Sequence, residues 1–134
     1  SMSIETATSA LAPAPAGPYS QAVRAGGFVF VSGQLPVDPR TGRPVDGDVR
    51  AQTKAVLEAI AAILAAAGGG LADVVKTTIF LADLSDFPAV NEVYAASFTA
   101  PYPARSTVEV SRLPPGLRLE IDAVALDRRH QDRS

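Results

Sequence analysis

The chain has 134 residues, 47% of them apolar, with twelve basic and fourteen acidic side chains and a net charge of −2. That length supports one domain with a real core. The charge balance argues against a general nucleic-acid binder, and no apolar run is long enough to span a membrane. There is no cysteine and one histidine, His130, in the polar ending DRRHQDRS, which excludes disulfides, thiol nucleophiles, a histidine-based triad and a thiolate or histidine metal centre.

Ser1 before Met2 reads as a tag-removal scar, and no secretory signal follows. A cytoplasmic location is the expectation. Residues 1–14 read as a loose segment, and SALAPAPAGPYSQ is expected to run extended under its prolines. Two short strands then flank Ala25-Gly26-Gly27, since paired glycines supply the positive φ of a tight hairpin. Phe28 to Val31 is unbroken apolar sequence and predicts a strand buried on both faces. LPVDPRTGRPVDGD is turn chemistry, so Asp38, Asp46 and Asp48 read as turn and cap residues before metal ligands.

A helix is predicted from Asp48, its N-cap, to Ala67. Val49, Val56, Leu57, Ile60, Ile63, Leu64 and Ala67 form its apolar stripe, and Gly68-Gly69-Gly70 ends it. The β-branched stretch DVVKTTIFLAD reads as a central strand. A second helix follows, with Asp86 as its cap, Pro88 in its first turn and Val90, Val93, Tyr94 and Phe98 inward. Two more strands lie near Arg105–Val110 and Leu119–Leu126, around the stiff SRLPPGLR. Residues 128–134 read as a disordered tail.

The predicted order is β-β-α-β-α-β-β. Two helices cannot cover both faces of such a sheet, so the fold class is a two-layer α+β domain, a mixed sheet with both helices on one face. The open face is expected to carry Val124, Thr107 and part of Val74–Leu81, and to be buried against another subunit.

By itself, Arg105 is either a solvated edge residue or an anion grip. Glu120, Tyr19, Ser32-Gly33 and Asn91 have equally bland readings as a water-facing acid, a core phenol, a strand end and a helix-surface amide. The sequence around them is more specific. GPYSQAV (17–23), VSGQLPVDPRTG (31–42), DVVKTTIFLADLSDFPAVNEVY (73–94) and PARSTVEVSRLPPGLRLEIDAVA (103–125) resemble the RidA/YjgF family of reactive enamine/imine deaminases. The likeness runs from about Pro15 to Leu126.

The resemblance implies a trimer of chorismate-mutase-like subunits with ligand clefts between neighbours. It implies hydrolysis of 2-aminoacrylate-type enamines and 2-imino acids, released by pyridoxal-phosphate enzymes, to 2-keto acids and ammonia. It implies no cofactor and no metal. Carried over by position, Arg105 binds the substrate carboxylate and Glu120 places a water. Tyr19, Ser32, Gly33, Asn91 and Thr107 line the cleft. Many members carry cysteine where this chain has Thr107, so thiol chemistry there is excluded while a hydroxyl remains. Two other readings compete with the deaminase: a module that binds a keto acid without turnover, and an RNA-directed role, disfavoured by the acidic balance.

Alternation in the last two strands adds a constraint. Paired as a simple hairpin with Val110 opposite Leu119, they would set Glu120 against Glu109, with Arg105 about 13 Å away at strand rise. Either these strands do not pair so simply, or one residue reaches the cleft from a neighbouring subunit.

Overall fold

The computed structural model describes residues 3–131. Six strands, β1 (Glu5–Ala7), β2 (Ala22–Ala25), β3 (Phe28–Gln34), β4 (Val74–Leu81), β5 (Ala104–Glu109) and β6 (Leu119–Leu126), form one sheet in the order β1-β2-β3-β6-β4-β5. Helices α1 (Val49–Ala66) and α2 (Phe87–Ser97) pack on each other, with α1 also against β3 and β6, and a one-turn helix α3 (Arg128–Gln131) ends the described chain. The α+β class with its mixed sheet is as expected. The strand β1, which pairs antiparallel with β2, is an addition to the predicted order.

Local chemistry accounts for the elements. Gly26 and Gly27 turn the β2–β3 hairpin with φ of 61° and 90°, which only glycine adopts easily in sequence. Asp48 caps α1 by accepting from the Ala51 amide at 3.0 Å. The helix closes with Gly68 donating to the Ala65 carbonyl (3.0 Å) and Gly69 to that of Leu64 (2.8 Å), the paired bonds of a Schellman end. The predicted stripe of α1 is buried throughout. It faces Ile79, Leu81, Leu119 and Ile121, which are also fully buried and supply the centre of the core.

Several expectations change. Phe28 and Phe30 are not buried on both faces: they alternate with buried Val29 and Val31 and stand 38% and 44% exposed on the face without helices. Thr107 does not share that face with Val124. It pairs with Ile79, which pairs with Ile121, so it lies in a core row under the helices. Asp86 sits at the start of α2 but does not cap it; its carboxylate accepts from Arg118 Nε at 3.0 Å and Nη2 at 2.7 Å. A two-pronged guanidinium outcompetes a backbone amide for one carboxylate.

Both ends make contacts with the rest of the domain. Buried Gln21 accepts from the Ser9 amide (2.7 Å) and donates to the carbonyls of Ser9, Ala12 and Pro13 (3.1, 3.3 and 2.9 Å), which pins the proline-rich segment. Residues 128–131 of the expected disordered tail form α3, held by Arg128 on Asp73 and Arg129 on Glu5. Residues 1–2 and 132–134, which carry the expected scar and the rest of the tail, lie outside the described residues. No helix among the described residues is long and apolar enough to cross a membrane.

Candidate active site

The last two long strands are not neighbours. β4 lies between them, parallel to β5 and antiparallel to β6. A parallel β4–β5 pair needs a crossover, which α2 provides, and side chains of α2 reach both Thr77 on β4 and Arg105 on β5. Arg105 pairs with Thr77, a buried residue of the helix-covered face. Its side chain therefore rises toward α2. Its Nη1 donates to Asn91 Oδ1 at 2.7 Å, and its guanidinium lies 4.9 Å from the Tyr94 ring centre and 5.3 Å from that of Phe87. Both distances are within the range at which an aromatic face attracts a cation.

Arg105 is nonetheless exposed. With Asn91, Tyr94, Ala95, Tyr102 and Pro103 it lines an open cleft of about 360 Å³. No carboxylate among the described residues pairs with it, so one edge of a fixed guanidinium is offered to the cleft. That is the arrangement for gripping a small carboxylate through two parallel hydrogen bonds. Thr107, two residues on, lies on the same face. Its Oγ1 is buried and has no hydrogen-bond partner among the described residues.

Glu120 pairs with Phe80, next to Ile79 and its core row, and so projects from the opposite face. It reaches the irregular stretch of β3 between Val31 and Gln34, where the β3–β6 register shifts. Ser32 and Gly33 make that irregularity. Ser32 is tied by its hydroxyl to the Ser20 carbonyl at 2.6 Å. A β-carbon at Gly33 would overlap the Glu120 carboxylate, so the missing side chain makes the room in which Glu120 lies. Burial, and secondly the charge of Asp122, raise the Glu120 pKa above its ordinary 4.5. Tyr19 and Gly33 line a separate pocket of about 310 Å³ together with Gln21, Gln34 and Leu35. The Tyr19 side chain is about half exposed and its hydroxyl accepts a long 3.4 Å bond from the Ala16 amide.

The seven residues singled out in the sequence thus fall into two clusters on opposite faces of the sheet. Asn91, Arg105 and Thr107 belong to the helix face, while Glu120 meets Gly33 beside Ser32, with Tyr19 nearby. The sequence reading missed Phe87 and, as a site residue, Tyr94. Their signal was present: positions 87, 91 and 94 recur at helical spacing and share a face with Asn91.

The family model described as Endoribonuclease L-PSP matches residues 9–127. A RutC family protein of Pyrococcus horikoshii is 56% identical over 114 residues, 85% of this chain and 90% of that protein. The 2-iminobutanoate/2-iminopropanoate deaminase of Salmonella typhimurium is 52% identical over 120 residues, 87% of this chain and 93% of that enzyme. The crystal structure of Escherichia coli TdcF with bound serine superposes with a TM-score of 0.86 at 45% identity, covering 91% of this chain and 98% of that one. Agreement in sequence and in fold over nearly the whole chain leads to one assignment: the protein belongs to the RidA/YjgF family.

Proposed function

We propose that the protein hydrolyses 2-imino acids, and the enamines that tautomerise to them, to 2-keto acids and ammonia, in clefts between the subunits of a homotrimer. The observation that carries this reading is the unpaired, ring-seated guanidinium of Arg105 facing an open cleft. The names of relatives at 50–52% identity support the reaction class.

Arg105 takes the substrate carboxylate and so fixes the adjacent imine carbon. Glu120, whose raised pKa suits it to accept a proton, draws one from a water whose oxygen attacks that carbon. With the imine nitrogen protonated, the attack gives a neutral 2-amino-2-hydroxy acid and leaves the proton on Glu120. Glu120 returns that proton to the nitrogen, the C–N bond breaks as ammonia leaves, and the hydroxyl gives its proton to the Glu120 carboxylate as the C–O bond becomes the keto group. Most of the acceleration comes from holding water and imine in line.

Within one protomer the two groups project from opposite faces of the sheet, so a shared substrate requires a second copy. The helix-free face, with Phe28, Phe30 and Val108 exposed, is the surface that copy would cover. RNA cleavage receives no support from this charge distribution, since the net charge is −2.

The test couples a threonine or serine dehydratase to keto-acid release. Added protein is expected to accelerate release, and Arg105→Ala to abolish the gain. No acceleration by the wild type, with 2-ketobutyrate still bound in titration, would make this a binding module.

A further inference from the structure

We propose that Thr77 and Tyr94 are positioning residues for Arg105, a role that rests on the carboxylate-binding reading of that arginine. Thr77 sits beside Arg105 in the β4–β5 register and is fully buried. Its Oγ1 and the Tyr94 hydroxyl share a buried hydrogen bond of 2.7 Å. The Tyr94 ring, held at that end by the bond and along its side by Phe98 at 4.6 Å between centres, lies under the guanidinium of Arg105.

The three residues close a loop. β5 carries Arg105, its neighbour β4 carries Thr77, and α2 carries Tyr94. The hydroxyl bond fixes how far α2 stands from the sheet just where the arginine must cross that gap. Asn91 orients one guanidinium nitrogen, and the ring sets the height and tilt of the plane. An arginine so held surrenders little further freedom when a carboxylate arrives, which is preorganisation of the binding group. Neither Thr77 nor the Tyr94 hydroxyl needs to touch substrate.

The test uses the full chain and three variants. Thr77→Val and Tyr94→Phe each remove the bond and keep the packing; Tyr94→Leu also removes the ring. The expected result is a rise in KM for the imino acid and in Kd for 2-ketobutyrate of about 3- to 10-fold for each conservative variant, with kcat little changed. The double variant Thr77→Val/Tyr94→Phe should be no worse than the poorer single one, because both delete the same bond. Tyr94→Leu should be worse again. The second readout is independent of activity: the Arg105 Nε–Hε resonance, identified by its loss in Arg105→Ala, should lose its ring-current displacement in Tyr94→Leu. It should also move toward the free-arginine position in Thr77→Val.

Folded Thr77→Val and Tyr94→Phe proteins with unchanged Kd and an unmoved Arg105 resonance overturn the proposal. So do additive effects in the double variant. If the resonance moves as expected while Arg105→Ala still binds 2-ketobutyrate normally, positioning stands and the carboxylate role of Arg105 fails instead.

Discussion

Arg105 and Glu120 project from opposite faces of one sheet, because Arg105 aligns with buried Thr77 and Glu120 with Phe80, an odd number of residues apart along the intervening strand. A trimer whose sites each join Arg105 of one subunit to Glu120 of the next makes a specific demand. Arg105→Ala and Glu120→Ala proteins should each be inactive alone. Unfolded together and reassembled in equal amounts, they should regain up to about one quarter of the wild-type sites, since a site survives when each neighbour supplies its intact half. Recovery of nothing, with mixed trimers verified by mass spectrometry, would place both residues in one protomer's site.

How much of this was legible beforehand differs by scale. α1 was readable because three local signals agreed: the Asp48 cap, the apolar stripe and the glycine end. The Gly26-Gly27 hairpin was readable for the same reason. β1 was not, since three residues ending in a single buried Ala7 offer no period to detect. The alternation inside β5 and inside β6 was correctly visible, but the phase between them was not. That phase depends on β4 lying between the two, a tertiary fact without a local signature. The identities of the site residues came from family motifs, whereas the bed of Arg105 came only from the packing of α2.

The raised pKa of Glu120 predicts a pH profile. A base that is neutral further into the mild-acid range should give a kcat/KM that rises with pH through a limb displaced above 4.5. Asp122→Asn removes the second cause of the shift and should move the limb toward acid, while its side-chain oxygen can still accept from the Thr78 amide, now at 3.0 Å. The stability sign follows from the same shift. Folding favours the protonated Glu120, so its contribution is fully present below the unfolded pKa and is lost as pH rises through the folded one. Glu120→Gln should therefore raise Tm relative to wild type at pH 7.5, and the gain should vanish by pH 4. A gain that grows toward acid would contradict the burial argument.

Gly33 leaves the room that Glu120 fills. Gly33→Ala should displace the carboxylate and lower kcat by about 10²-fold, the scale of a misplacement near 1 Å. Affinity for 2-ketobutyrate, which the proposal assigns to Arg105, should fall much less. A variant with normal kcat would show that the carboxylate does not need this position.

Two acids at the chain ends separate buried from exposed pairing. Arg24 is buried and donates to Asp127 Oδ1 at 2.8 Å and to the Ala67 carbonyl at 3.3 Å, joining the hairpin to the end of α1. Asp127→Ala strands that charge and should cost about 3 kcal/mol in chemical denaturation. Glu5, half exposed and 3.7 Å from Arg24, should cost less than about 1 kcal/mol when replaced by alanine. Equal costs would mean that Arg24 draws its stabilisation from Glu5 as much as from Asp127.

Thr107 carries the prediction with two opposite signs. Its hydroxyl is buried with no partner among the described residues, so the free protein bears the desolvation of that group without return. Thr107→Val keeps the shape and removes the unmet hydroxyl, and should stabilise the ligand-free protein by about 1 kcal/mol. If the hydroxyl finds its partner only when a ligand sits on Arg105, the same variant should bind 2-ketobutyrate about 3- to 10-fold more weakly, one neutral hydrogen bond's worth. Thermal unfolding and titration on one preparation read both effects. A more stable variant with unchanged affinity removes Thr107 from the ligand's contacts and leaves it a core residue. A less stable one means the hydroxyl has a partner in the assembled protein, on the neighbouring subunit, where cross-linking through Thr107→Cys would find it.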